Sequence, residues 1–218
     1  LALGDPQVRI FFALVIFTFV GTLAQDVLLE PYGALVLGMP VAETTRLTMY
    51  WGLGVMAAML LSGLVLMRWL GHLRLMQAGI VASILVFAGL IVTGVTGNAA
   101  AFKGLTFVMG LGTGMAGAGM LAGVISFTTA IRAGMLMGLW GVANMTGHAF
   151  GSLMGGVIVD VVRGLLGSPL VAYAAVFGLE IVMLLAALAL SFRLDFSASR
   201  AAQEEQLELK AALAASAD

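Results

Sequence analysis

Residues Leu170–Phe192 read LVAYAAVFGLEIVMLLAALALSF, an apolar run with one ionisable side chain, Glu180, about halfway along it. A helix needs about 20 consecutive apolar residues to cross the hydrocarbon of a bilayer, and this stretch has that length. Comparable runs recur at Val8–Gly38, Leu47–Met67, Leu75–Val95, Gly104–Phe127 and Met135–Val159, one of the six reaching spanning length only by tolerating polar residues. The pattern predicts an all-α polytopic membrane protein with six transmembrane helices. Composition agrees. Of 218 residues, 61% are hydrophobic and 10% charged, against about 25% charged in a soluble domain. With a mean hydropathy of +1.11, no water-soluble globule hides that much apolar surface.

The short connections, Met39–Arg46, Arg68–Arg74, Thr96–Lys103, Thr128–Gly134 and Asp160–Pro169, make successive helices antiparallel. Assigning Lys and Arg to alternate sides places Arg9, Arg68, Arg74, Arg132, Arg193, Arg200 and Lys210 on one face and Arg46, Lys103 and Arg163 on the other. The richer face is expected to be cytoplasmic, with both termini inside. Residues 1–193 then form the membrane domain, and residues 194–218, rich in Ala, Glu, Gln and Leu, a short cytoplasmic tail of helix-forming composition. The chain begins at Leu1, and Asp5-Pro6 reads like the end of a linker, so an upstream segment is expected.

Several function classes are excluded by what is missing. Ten scattered Lys and Arg and a net charge of -1 form no basic stripe for nucleic acid. With no cysteine there is no disulfide, thiolate nucleophile, iron-sulfur cluster or Cys-ligated zinc. No serine-hydrolase elbow, zincin motif, P-loop or dinucleotide fingerprint occurs. The run GLGTGMAGAG at Gly110–Gly119 lies inside an apolar span, follows no strand and lacks the terminal Lys-Ser/Thr of a phosphate loop. An enzyme is not expected.

Glycine organises the fourth and fifth helices. Gly110, Gly114, Gly119 and Gly123, then Gly147, Gly151 and Gly155, recur near four-residue spacing, which lines one helix face with small surfaces and lets backbones approach. Met115, Met120, Met135, Met137, Met145 and Met154 cluster there too, as core packing or as an adaptable apolar ligand surface.

Ionisable and amide groups inside the spans are the candidate functional residues, because each is costly in hydrocarbon unless paired or facing a cavity. The first helix carries Gln25, Asp26 and Glu30, followed at once by Pro31. Asp26 and Glu30 are four apart on one face and repel unless one is protonated, a cation lies between them, or the outer one reaches the interface. Pro31 kinks or ends the helix and frees backbone carbonyls nearby. The fifth helix carries Asn144 and His148, also four apart. An imidazole there can hydrogen-bond across helices as glue with Asn144, relay protons, or ligate a metal, including the magnesium of a chlorin. Glu180 has no basic residue in its own span, and is either protonated or turned toward a partner, a pigment or a polar cavity.

Six helices and a basic loop RWLGHLRL at Arg68–Leu75 resemble one half of a major facilitator transporter, although the loop lacks the Asp of that fold's motif. More specifically, AQDVLLEPYGALVLGM at Ala24–Met39 and RAGMLMGLWGVANMTGHAFGSLMGGVIVDVVR at Arg132–Arg163 resemble the PucC and LhaA proteins, the bacteriochlorophyll delivery family of phototrophic bacteria. The resemblance implies the C-terminal half of a facilitator-like protein of about twice this length in the bacterial photosynthetic inner membrane. It implies a role in assembling light-harvesting antenna complexes, with bacteriochlorophyll as cargo or cofactor. Expected partners are antenna polypeptides or the reaction-centre complex, the lipid bilayer and the protein's own N-terminal half. A chlorin needs an axial ligand and donors for its carbonyls, roles that suit His148, Asn144, Gln25 and a protonated Glu180. By the facilitator analogy Asp26, Glu30 and His148 face the other half, and Glu180 faces lipid, pigment or an antenna subunit. A proton-coupled secondary transporter using Asp26 and Glu30, and a structural subunit of a photosynthetic complex, are the competing expectations.

Overall fold

The computed structural model describes residues 6–126 and 133–194, with the side chains of Asp26 and Ala133 outside the described set. The predicted tail and the Thr128–Gly134 connection therefore lie almost wholly outside the described residues. Those described form an all-α multi-pass membrane protein, whose helices include five apolar stretches long enough to cross a bilayer. One of these, Val41–Thr96, runs for 56 residues, far beyond one crossing. Its contacts show that it is two antiparallel arms. Gly54, Ala58 and Met59 meet Gly110, Gly114 and Gly117 in ascending order, while Met76, Gly79 and Gly89 meet Gly119, Gly112 and Leu105 in descending order. With that reversal the described residues contain six apolar helical arms.

The first arm is α1 (Pro6–Leu23) followed by α2 (Gln25–Leu35), interrupted at Ala24. Ala24 itself keeps right-handed helical dihedrals, so the two pieces follow one continuous helical path. Just before Ala24, the Thr18 and Thr22 hydroxyls donate to the carbonyls of Leu14 and Thr18, a back-bonding that bends helices. Pro31 lies within α2 and has no N–H to offer the Val27 carbonyl. The helix ends four residues later, with Gly38 at a φ of 63°.

The second arm is α3 (Val41–Leu61), continued by a π turn at Ser62–Leu66. It starts earlier than the predicted Leu47, since Pro40 sits at the N-cap in extended conformation. The next helical stretch, α4 (Met67–Thr96), contains the reversal at Gly71, whose φ of 72° and ψ of 165° are accessible essentially to glycine alone. The loop expected over Arg68–Arg74 thus contracts to that residue. Gly97, left-handed, ends α4. Asn98 Oδ1 then accepts from the Ala101 N–H to start α5 (Ala99–Ser126).

Helix α6 (Ala133–Leu166) extends beyond the predicted Val159 and absorbs Asp160 and Arg163, both exposed on its last turns. Left-handed Gly167 terminates it. Ser168 and Pro169 then open α7 (Pro169–Ser191) as N-cap and first residue.

All seven glycines singled out in the sequence meet a neighbour. A Cβ added at Gly114 would lie 2.7 Å from both Ala58 Cβ and the Val55 carbonyl oxygen, and one at Gly155 would lie 2.9 Å from a Leu28 methyl. Gly147 and Gly151 face Phe19 and Val20 of α1. Helix α5 is thereby clasped between α3 and α4, while α1 lies against α6 and α7, and α4 also meets α7. At one end Lys103 Nζ and Glu43 Oε2 pair at 2.6 Å, tying the starts of the parallel α5 and α3.

The core centres on Tyr32. Its fully buried ring packs at 5.2–5.4 Å from Phe102, Tyr173 and Phe177, and its hydroxyl donates to the Leu90 carbonyl at 2.7 Å. Tyr32→Phe keeps the packing and removes the bond. It is expected to cost about 0.5–1.5 kcal/mol, read as a lower denaturant midpoint with unchanged helix content.

Candidate functional site

Among the described residues, the candidate polar side chains inside the bundle fall into three groups. The first lies between α2 and α3, where Gln25, Leu29, Glu30, Thr48 and Trp51 line a recess of about 160 Å³. Gln25 is fully buried, and among the described residues neither its amide nitrogen nor its oxygen has a hydrogen-bond partner. The Trp51 indole N–H is likewise buried and unpaired. Toward the mouth, half-buried Glu30 accepts from the hydroxyl of exposed Thr48 at 3.2 Å. Such orphans are rare in native proteins, because an unsatisfied buried polar group costs about 1–3 kcal/mol.

Gln25 is the first residue of α2, immediately after the interruption at Ala24, and both it and Glu30 line the recess shared with α3. Helix α3 is held there by its glycine contacts with α5, which fix its rotation and present Thr48 and Trp51, one turn apart, to α2. Asp26 lies in α2 with its side chain outside the described set.

The second group is Glu180 alone. Its side chain is 2% exposed and turns inward, toward α1 and α6, which corrects the outward orientation taken from the facilitator analogy. The reason is local packing. Val176, Phe177 and Leu184, on the same side of α7 at helical spacing, are buried, and the Glu180 carbonyl lies against Gly21. Among the described residues neither carboxyl oxygen has a hydrogen-bond partner. The adjoining void, walled by Ala24, Gly151, Gly155 and Met183, measures about 10 Å³, room for one water at most.

The third group is on α6. His148 is half-buried, with Nδ1 3.2 Å from Ser152 Oγ, and Asn144 is half-buried one turn earlier. Neither lines the two cavities above. The five predicted site residues whose side chains are described therefore do not converge on one point. Gln25 and Glu30 share a recess, Glu180 and Ala24 line a separate void, and His148 and Asn144 border the open apolar face of α6 formed by Val142, Met145, Leu153 and Val157. Among the described residues no three His, Asp or Glu side chains are grouped to hold a metal ion. Thr48, Trp51 and the buried Ser62 of the π turn were not anticipated from the sequence. A tryptophan three residues after a threonine in an apolar helix was the available signal.

Gln25, Glu30, Asn144 and His148 lie within the two segments that carried the family resemblance, and residues 1–198 match the family described as PUCC protein. The chain belongs to that family. Its PUCC relatives include "Protein PucC" of Rhodobacter capsulatus, 31% identical over 201 residues, which covers 87% of this chain and 42% of that protein. The "Uncharacterized protein in puhA-bchM intergenic region" of the same organism is 33% identical over 181 residues, 78% of this chain and 38% of the relative. A third, the "Bacteriochlorophyll synthase 44.5 kDa chain" of a Rhodobacter capsulatus strain, is 31% identical over 189 residues, 84% and 44% of the respective lengths. The chain thus spans about two fifths of the length of these curated relatives. No solved structure matches it.

Proposed function

We propose that this chain is the C-terminal six-helix part of a facilitator-like membrane factor that assembles light-harvesting antenna complexes by binding or delivering bacteriochlorophyll. Membership of the PUCC family over nearly the whole chain carries the reading, and the printed name of the bacteriochlorophyll synthase relative points to the same pigment. We read it as a non-enzymatic member acting in the bacterial photosynthetic inner membrane, its ends cytoplasmic. Antenna polypeptides or the reaction-centre complex are its partners.

The recess between α2 and α3 is smaller than the roughly 300–1,000 Å³ of pockets that enclose drug-sized ligands, so it does not swallow a chlorin. A flat macrocycle fits better against the open face of α6, beside His148. There His148 would hold the magnesium through an imidazole nitrogen, and Asn144 would donate to a peripheral carbonyl. Bound bacteriochlorophyll supplies the light-absorbing chemistry, while the chain's residues orient it and keep water away.

The test is an absorption spectrum of the full-length protein purified in mild detergent from a phototrophic host. A red-shifted bacteriochlorophyll band is expected, weakened several-fold by His148→Ala. A colourless protein whose deletion leaves antenna levels unchanged would overturn the proposal. One observation favours a second reading, a proton-coupled transporter: unpaired polar groups and a carboxylate face a common recess in the bundle. Solute uptake in proteoliposomes that collapses in Asp26→Asn would support it, and absence of any uptake would exclude it.

A further inference from the structure

The Gln25–Trp51 recess contains an unbalanced set of hydrogen-bonding groups, and the imbalance says what fits. Its lining residues carry three buried N–H donors without acceptors among the described residues, two on the Gln25 amide and one on the Trp51 indole, beside one unpaired acceptor, the Gln25 oxygen. At its mouth Glu30 already accepts from Thr48. A cation would engage the oxygens and leave every N–H orphaned. An anion would be opposed by the Glu30 carboxylate. A neutral carbonyl oxygen, with two lone pairs, accepts from two of the three N–H groups without that conflict. The space, about 160 Å³, equals roughly five water molecules at about 30 Å³ each, enough for one polar substituent with its first carbons and far short of a macrocycle. Leu29 supplies an apolar wall beside it.

We propose that this recess is a subsite for a carbonyl group carried by a neutral amphiphile, which enters from the apolar phase and takes hydrogen bonds from the Trp51 indole and the Gln25 amide. Two sources share that chemistry: the ester carbonyl of a membrane lipid, and a peripheral keto, acetyl or ester carbonyl of a chlorin pigment. The second source rests on the pigment-handling reading above, and the first is independent of it.

The experiment uses the full-length protein in lipid nanodiscs and reads the carbonyl stretching band, which moves to lower frequency when the oxygen accepts a hydrogen bond. One arm contains phospholipid with ¹³C-labelled ester carbonyls and no pigment. The other contains ether-linked lipid, which has no ester, together with added bacteriochlorophyll. A down-shifted band in either arm, lost in Trp51→Phe and in Gln25→Leu, is the expected result, and the arm showing it identifies the source. Far-ultraviolet circular dichroism of both variants establishes that helix content is retained. Should one variant fail to fold, the other decides, because each removes a donor independently. An unshifted carbonyl in both arms, or a shifted band that survives both substitutions, would overturn the subsite and leave ordered water as the occupant. Pigment retained with an unshifted carbonyl would remove this proposal while leaving pigment handling intact.

Discussion

Gly110→Val is expected to lower stability by about 1–3 kcal/mol or more, the range for forcing extra methyl groups into a packed interior. A Cβ at Gly110 meets the Trp51 carbonyl oxygen, with Val55 N at 2.9 Å and Gly54 Cα at 3.0 Å. All three are backbone atoms of α3, so no side chain can swing aside, and the two helices must separate. Separation also displaces Trp51, one wall of the α2–α3 recess, so a structural lesion and loss of the site should arrive together. The control is Gly104→Ala on the same helix, where nothing lies within 4 Å of the added carbon. That change should be neutral, or stabilising by up to about 1 kcal/mol through helix propensity. Denaturant titration of helix content in mild detergent separates the two. Equal midpoints for both variants would mean that the α3–α5 glycine contact does not hold the bundle together.

Glu180→Leu should have the opposite sign. The carboxyl group is sequestered among Val176, Leu179, Met183 and the small residues of α1 and α6, without a hydrogen-bond donor or a counter-ion for either oxygen. Replacing it by an apolar side chain of similar volume removes an unsatisfied polar group whose burial costs about 1–3 kcal/mol, and stability is expected to rise by that order. Glu180→Gln should gain little, because the amide leaves the same atoms unsatisfied. A stability gain coupled to reduced antenna content in a strain relying on the Leu variant would mark Glu180 as retained for function at a cost to the fold. Destabilisation by Glu180→Leu would sink the idea and point to a partner for the carboxyl group outside the described residues.

Much of the fold was readable because helix signals are local. Gly97, Gly167, Ser168 and Pro169 mark ends where the chain does turn, and the glycines at helical spacing do face neighbouring helices. Of the boundaries that were misplaced, two share one physical reason. Asp160 and Arg163 read as a connection because they are charged, yet a charged residue on the exposed side of a last turn costs a helix little, so α6 continues to Leu166. Similarly, α3 begins at Val41, before the hydropathy rises, because Pro40 is well suited to the position preceding a helix and Glu43 is steadied by Lys103.

The site was half legible. Gln25, Glu30 and Glu180 stand out as polar residues in apolar runs, and such residues are informative wherever they occur in a membrane helix. What they face could not be read. Each residue advances about 100° around a helix axis, so the direction of a side chain depends on the rotation of the whole helix, and that rotation is set by contacts with other helices. Gln25 finds Trp51 because glycines press α3 against α5, and Glu180 turns inward because α7 buries Val176 and Leu184 on the same side.

By itself, then, the order of residues determined that this chain is a bundle of apolar helices embedded in a membrane, and it marked the polar groups that such an environment penalises. Only the tertiary structure decided which of those groups share a cavity, since hydropathy and turn chemistry act along the chain whereas a cavity is enclosed by side chains from helices distant in sequence.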